Sequence, residues 1–175
     1  LKRDDRGYIA MPLFHSNAWL LAVMPTLFAG ASFVLKPKFS ASAFADDVLE
    51  SHVTWMNYVG QPVHYILAAL EQRFGSGAAA EEALAHHPDN RMRMACGNGA
   101  SATDRAKFMR YFDMAHIYEV YGSTEAVIST MLMPGDPPDS VGSVPKSVII
   151  LDDNGNECPP AEVDNDGRIR NYDEA

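Results

Sequence analysis

Short apolar runs alternate along this chain with segments whose apolar residues recur at helical spacing. Residues 8–12 read as a strand that ends at the loop Leu13-Phe14-His15-Ser16. Asn17 is placed to cap a following helix, because its side-chain oxygen can accept from orphan backbone N–H groups. From 11 to 35 no Asp, Glu, Lys or Arg occurs, a length that would span a bilayer. Pro12, His15, Ser16, Asn17, Pro25 and Gly30 interrupt it. Pro25 removes a helical hydrogen bond and imposes a kink, and Gly30 reads as a helix stop before an apolar strand over 31–35. The pattern predicts strand, buried helix, strand. Ser40 or Ser42 then caps a helix to about 51 that buries Ala43, Val48 and Leu49. Residues 53–59, rich in β-branched and aromatic types, form the next strand. Gly60-Gln61-Pro62 turns into a helix to about 74, with Val63, Ile66, Leu67 and Leu70 on one face.

The stretch 75–90 combines Gly-Ser-Gly, an alanine run and His86-His87-Pro88, and predicts a mobile surface loop around a short helix. Residues 92–96 read as a strand broken by Gly97-Asn98-Gly99. Ser101 and Asp104 fit a capping box opening a helix to about 112. Strands follow at 116–120 and 127–133, separated by the loop 121–125. A turn over 134–138, a last strand over 147–151 and a hairpin-type turn at Asp153-Asn154-Gly155 lead into a polar tail from Cys158. Strands alternating with helices of about a dozen residues predict an α/β fold, a mostly parallel sheet flanked by helices. In such sheets ligands bind beyond the carboxyl ends of the strands. The loops 14–16, 97–100 and 121–125 all occupy that position, so they are expected to converge on one rim.

Composition narrows the possibilities. Apolar residues make up 47% of 175, enough for a sizeable core. Fourteen Lys and Arg against 23 Asp and Glu leave a net charge of −9, which argues against nucleic acid as a partner. Two cysteines, Cys96 and Cys158, make no disulfide framework and lie in no zinc-type spacing, so a reducing, cytoplasmic setting is expected. Leu1 is not an initiator Met, and 8–13 reads like the middle of a fold, so the chain is expected to come from a longer protein.

The converging loops carry specific chemistry. Tyr121-Gly122-Ser123-Thr124-Glu125 offers an aromatic plate for a flat heterocycle, a hinge, two hydroxyl donors for phosphate oxygens and a carboxylate suited to Mg²⁺. The same residues also read as a polar loop in which Tyr121 fills the core edge and Glu125 caps a helix. Gly97-Asn98-Gly99 permits close backbone approach to a ligand, or simply makes a tight strand-to-helix turn; it is neither a dinucleotide fingerprint nor a Walker loop. His15 reads either as a proton shuttle or gate, or as a hydrogen-bonded structural residue. His86 and His87 are expected to be solvated.

Together these segments resemble the adenylate-forming superfamily of acyl-CoA synthetases, luciferases and nonribosomal adenylation domains. Pro12-Leu13-Phe14-His15-Ser16 is similar to the family's PLFHS segment, and residues 121–125 to its YGSTE core. Lys36-Pro37-Lys38-Phe39-Ser40, Tyr58-Val59-Gly60 and Gly97-Asn98-Gly99 look most like the fatty-acid-transport, very-long-chain acyl-CoA synthetase branch. The likeness covers nearly the whole chain and fades after about Pro160. It implies part of a large N-terminal AMP- and acyl-binding domain over 1–160, with a weakly patterned tail over 161–175.

The activity implied is a fatty acyl-CoA ligase: ATP and a fatty acid give an acyl-adenylate, and coenzyme A displaces AMP. By the same resemblance Tyr121 stacks on adenine beside the backbone of Gly97, Asn98, Gly99 and Ala100. Gly122, Ser123 and Thr124 border the nucleotide, with Thr124 on the α-phosphate, and Glu125 ligates Mg²⁺. His15 lines the junction of acyl and CoA channels, and Tyr58, Val59, Gly60 and Gln61 flank the acyl tunnel.

The family's phosphate loop, ribose-binding aspartate, hinge and C-terminal domain with its catalytic lysine have no counterpart in these residues. Asp166-Gly167-Arg168-Ile169 sits where a GEL-like segment is expected, with Arg168 in place of the acid. The chain alone is therefore expected to bind nucleotide weakly and to show no ligase activity. The missing C-terminal domain, peripheral attachment of the parent to membranes and self-association of the chain complete the expected partners. Two other readings stay open: an adenylation enzyme that loads a carrier protein, and a non-catalytic nucleotide- or acyl-binding module.

Overall fold

A computed structural model describes residues 1–124, 128–137, 140–144, 148–162, 164–165 and 170–171. The strands are β1 (Arg6–Ile9), β2 (Ser32–Leu35), β3 (Trp55–Val59), β4 (Met94–Asn98), β5 (His116–Gly122) and β6 (Ser129–Met131), in the order β2-β1-β3-β4-β5-β6. All pairings from β2 to β5 are parallel; β6 runs antiparallel to β5, with Tyr121 opposite Thr130. The fold is thus α/β with a mostly parallel sheet, as the alternation predicts.

Period-two alternation divides the strands between two cores. On one face Tyr8, Met56, Tyr58 and Ala95 meet α3 (Phe44–Glu50), α4 (Gly60–Phe74), α5 (Ala78–Ala85) and α6 (Ala102–Phe112). Phe44, Phe108 and Phe112 stack edge-on or tilted there, with centroids 5.1–5.9 Å apart. On the other face Ile9 and Trp55 meet Ala22 and Val23. These come from a helical stretch made of α1 (Ser16–Ala18), a π segment (Trp19–Val23) and α2 (Met24–Phe28). Pro25, which has no N–H, stands at the start of α2, and the wider π turn precedes it. The Thr26 hydroxyl then donates to the Ala22 carbonyl at 2.7 Å. The expected kink is therefore taken up as a π bulge. Among the described residues no helix is long and apolar enough to cross a membrane.

Several local expectations hold. Ser101 caps α6, accepting from the Asp104 N–H at 3.0 Å. Pro62 lies in the first turn of α4. The short helix expected within 75–90 is α5, whose Ala80 and Leu84 are fully buried. The turn before residue 157 closes with Gly155 N–H donating to the Asp152 carbonyl at 3.0 Å.

Others need correction. Asn17 makes no cap hydrogen bond, and α3 is preceded by Ala43 with only a long 3.4 Å contact from its N–H to Ser40 Oγ. The strand expected over 8–12 runs instead from Arg6 to Ile9, because its pairing with β2 and β3 starts earlier. β4 and β5 extend to Asn98 and Gly122, so Tyr121 and Gly122 end a strand rather than sit in a loop. No strand forms over 148–151. Ile149 and Ile150 stay exposed, and the contact is one bridge, Leu151 to Glu157, with the Cys158 N–H donating to the Ile150 carbonyl at 2.8 Å. Residues Val127 and Ser147 of the expected strands lie outside the described residues.

Candidate functional site

The segments that follow β1, β4 and β5 meet at one rim, beside the carboxyl end of β3. Asn17 Nδ2 donates to Asn98 Oδ1 at 2.7 Å and reaches the Tyr58 carbonyl at 3.5 Å. Ser16 Oγ lies 3.4 Å from Thr124 Oγ1. Between these segments opens a cleft of about 230 Å³. Its polar lining comes from Ser16, Asn17, Asn98, Ser123, Thr124 and Ser129, and its apolar lining from Leu20, Leu21 and Val120. None of these lining residues is charged. Amides and hydroxyls can donate to an anionic or carbonyl-rich ligand without the desolvation cost of a buried cation.

Backbone shape makes this rim possible. Gly60, the first residue of α4, faces the carbonyl of Gly99 so closely that a Cβ would collide with it. Gly99 itself stands at φ +80° and turns the chain from β4 toward α6. A buried carboxylate lies behind the turn. Glu119, in the middle of β5 and 7% exposed, accepts from the Gly99 N–H and from the Tyr58 hydroxyl at 2.5 Å. Arg105 approaches its second oxygen at 3.5 Å and donates to the Ala100 carbonyl at 2.5 Å. Burial first, and the bond to Glu119 second, push the Tyr58 phenol far above its ordinary range, so it remains a proton donor. Burial, with Glu119 nearby, raises the Cys96 thiol to about 11, which leaves it a neutral side chain rather than a nucleophile.

The residues singled out from sequence fall into three groups. Asn98, Gly122, Ser123 and Thr124 line the cleft directly. Gly97, Gly99 and Ala100 flank Asn98 at the end of β4, and Tyr121, 53% exposed in β5, does not line the cleft. Tyr58 shares the Glu119 face of the sheet, while Val120 of the cleft faces the other way, so the Tyr58 ring is core. Val59 ends β3, Gly60 opens α4, and Gln61 Nε2 donates to the Tyr65 hydroxyl at 3.1 Å. His15 is exposed with its ring tilted against Phe14 at 4.5 Å, and it does not line the cleft. Glu125 lies outside the described residues, and among those described no cluster of His, Cys, Asp or Glu could hold a metal. Ser16, Asn17, Ser129, Arg105 and Glu119 were not marked as site residues by sequence. Ser16 belongs to the loop 14–16 that the sequence sends to the rim, and Glu119 shows as a carboxylate between Tyr118 and Val120 of a mostly apolar strand.

A family model described as "AMP-binding enzyme" matches residues 1–170. Medium/long-chain-fatty-acid–CoA ligase FadD17 of Mycobacterium marinum is 35% identical over 164 residues, covering 93% of this chain and 30% of that protein. Steroid-22-oyl-CoA synthetase of Rhodococcus jostii is 37% identical over 175 residues, covering 99% of this chain and 29% of that protein. The chain thus spans under a third of the length of these curated relatives. Among solved structures, the N-terminal domain of FACL13 from Mycobacterium tuberculosis superposes with a TM-score of 0.67 at 19% identity, over 90% of this chain and 38% of that one. A putative long-chain-fatty-acid CoA ligase from Rhodopseudomonas palustris gives 0.67 at 24% identity, over 93% and 38%. At those identities the superpositions speak for the fold alone.

Proposed function

As the chain belongs to the AMP-binding enzyme family, we propose that it forms the nucleotide- and acyl-binding part of an ATP-dependent acyl-CoA ligase acting on a fatty acid. The observation that carries this reading is the hydroxyl- and amide-lined cleft where Ser16, Asn17, Asn98 and Thr124 meet. An acyl-adenylate presents a phosphate and a sugar beside an apolar chain. The cleft offers hydroxyls next to Leu20, Leu21 and Val120 in the same order of polarity.

In the reaction a carboxylate oxygen of the fatty acid attacks the α-phosphorus of ATP and pyrophosphate leaves. The thiol sulfur of coenzyme A then attacks the acyl carbonyl, AMP leaves, and the thiol proton passes to solvent. The protein's task in the first step is to offset charge on the α-phosphate and hold the attacking oxygen in line. Ser123 and Thr124 supply hydroxyl donors at that place, and the exposed ring of Tyr121, on the Glu119 face of β5 and outside the cleft lining, is the stacking plate for adenine in this reading. Mg²⁺, held by Glu125 together with substrate phosphates, would neutralise further charge when bound. One carboxylate suffices for a cation that keeps several waters and phosphate ligands. His15 belongs in this reading at the entry for coenzyme A, and 58–61 as the backbone wall of the acyl channel. The outward Leu27 and Phe28, 58% and 84% exposed, support association of the isolated chain with another apolar surface.

The test is fatty-acid-dependent exchange of pyrophosphate into ATP by the full-length protein that contains this segment. Exchange is expected with medium- to very-long-chain acids, and Thr124→Ala should lower it about 10²-fold, the scale of one lost transition-state donor. Absence of exchange across that panel overturns the reading. Product formation with coenzyme A but not with a phosphopantetheinylated carrier protein fixes the acceptor. The 175-residue chain by itself is expected to form no acyl-CoA, and clear turnover by it would contradict that expectation.

A further inference from the structure

Glu119 is the carboxylate that the proposed chemistry leaves unused. It sits inside a parallel strand, where burying a charge costs several kcal/mol unless every acceptor is paired (about that scale even after relaxation). Here the pairing is complete and one-sided. One oxygen takes the Gly99 N–H, and the other takes the Tyr58 hydroxyl at 2.5 Å with Arg105 at 3.5 Å. Arg105 also donates to the Ala100 carbonyl at 2.5 Å. Two backbone groups of adjacent residues, the N–H of Gly99 and the C=O of Ala100, are therefore fastened to a single buried ion pair. The opposite side of the Gly97–Ala100 segment is pressed against Gly60, where no Cβ would fit. Asn98, within this segment and the last residue of β4, is left exposed and bonds Asn17 across the cleft at 2.7 Å.

We infer that Glu119 is a positioning residue of the cleft: it fixes the Gly97–Ala100 turn so that Asn98 and the turn's backbone stand at the ligand's edge. Glu119 itself faces away from the cleft, as its register with Tyr58 and Gly97 requires, so it acts through the turn and not by touching ligand. A carboxylate suits this place because all three of its neighbours are donors. A carboxamide of the same size would turn one donor toward Tyr58, Arg105 or Gly99 and break the match. The protonated phenol of Tyr58, fully buried beside the turn, completes the clamp.

The consequence for ligand affinity rests on the adenylate reading above, whereas the consequence for the turn does not. Two measurements on the chain separate them. Amide exchange at Gly99 reads the clamp, and titration with an acyl-sulfamoyl adenosine reads the site. In Glu119→Gln, Gly99 should exchange about tenfold faster and the isostere should bind about tenfold more weakly, the loss of roughly one charge-assisted hydrogen bond. Unchanged Gly99 exchange overturns the inference, as does unchanged affinity where the wild-type chain binds. If the wild-type chain does not bind the isostere, the adenylate reading loses support, and the exchange rate alone decides for or against the clamp. Should Glu119→Gln fail to fold, Tyr58→Phe removes one donor from the same carboxylate. About threefold faster Gly99 exchange then supports the clamp, on the scale of one neutral hydrogen bond, and no change overturns it.

Discussion

The two ends of the sheet each bury one carboxylate against one arginine, and they use the pair differently. At the amino ends of the strands Asp5, 1% exposed, accepts from Arg93 at 3.1 and 2.5 Å, from the Thr54 hydroxyl at 2.9 Å and from the Lys2 N–H at 2.7 Å. Those partners lead into β1, β3 and β4, so the pair staples three strands at their starting points. At the carboxyl ends Glu119 takes one strand contact, the Tyr58 hydroxyl of β3, and the rest of the Glu119–Arg105 pair goes to a turn. That turn is Gly97–Ala100, which faces a cleft of uncharged donors. The comparison teaches that burial of an ion pair says little by itself. What the pair is fastened to decides whether it serves the fold or the site.

The largest effect should come from Gly60→Ala, which puts a methyl on the Gly99 carbonyl and forces apart the first turn of α4 and the turn after β4. We expect a loss of about 3 kcal/mol or more, the upper range for overpacking, seen as a lower denaturation midpoint. A smaller loss would mean the cleft end is looser than the clamp implies.

Next, Asp5→Asn should cost about 2 kcal/mol at neutral pH, less than a fully buried pair because the Arg93 side chain is 41% exposed and can be hydrated. Burial opposes ionisation of Asp5, yet the bonds from Arg93, the Lys2 backbone and Thr54 outweigh it and hold the carboxyl below its ordinary value. A depressed folded-state value gives stability that is present above the unfolded value of about 3.9 and lost as pH falls through the folded one. The gap between wild type and Asp5→Asn should therefore be constant from pH 7 to 5 and shrink below about pH 4. A gap that persists at pH 2 would break the contrast drawn between the two ends. Affinity for the acyl-adenylate isostere should not change in this variant.

Asn17→Ala is the smallest. Loss of its bond to Asn98 should cost under about 1 kcal/mol of stability while weakening isostere binding several-fold, on the scale of one hydrogen bond. Equal effects on stability and binding would assign Asn17 to the fold instead of the rim.

Much of the sheet was legible because the information is local. The apolar run at Trp55–Val59, Pro62 after Gly60 and Ser101 three residues before Asp104 each specify their element without help from elsewhere. The rim was legible one step further, since βα order alone sends residues 14–16, 97–100 and 121–124 to the same end. What stayed hidden is tertiary. Asn17 has the right chemistry for a cap, and only the position of Asn98, 81 residues away, draws its side chain across the cleft. The Glu119 contacts span 20 and 61 residues, and no local pattern encodes which donors will face a carboxylate across two strands. Residues 148–151 look like a strand on apolar content, but a strand also needs a partner edge, and none of the described residues supplies one beyond a single bridge.

The central claim is that the segments carrying Ser16, Asn98 and Thr124 surround one acyl-adenylate. Backbone amide shifts during titration with an acyl-sulfamoyl adenosine test it most directly. The account predicts that signals at Ser16, Asn98, Gly99, Ser123 and Thr124 move together along one saturation curve while Asp5, Thr54 and Arg93 stay fixed. Movement confined to the Asp5 end, or separate curves for the Asn98 and Thr124 segments, would contradict it.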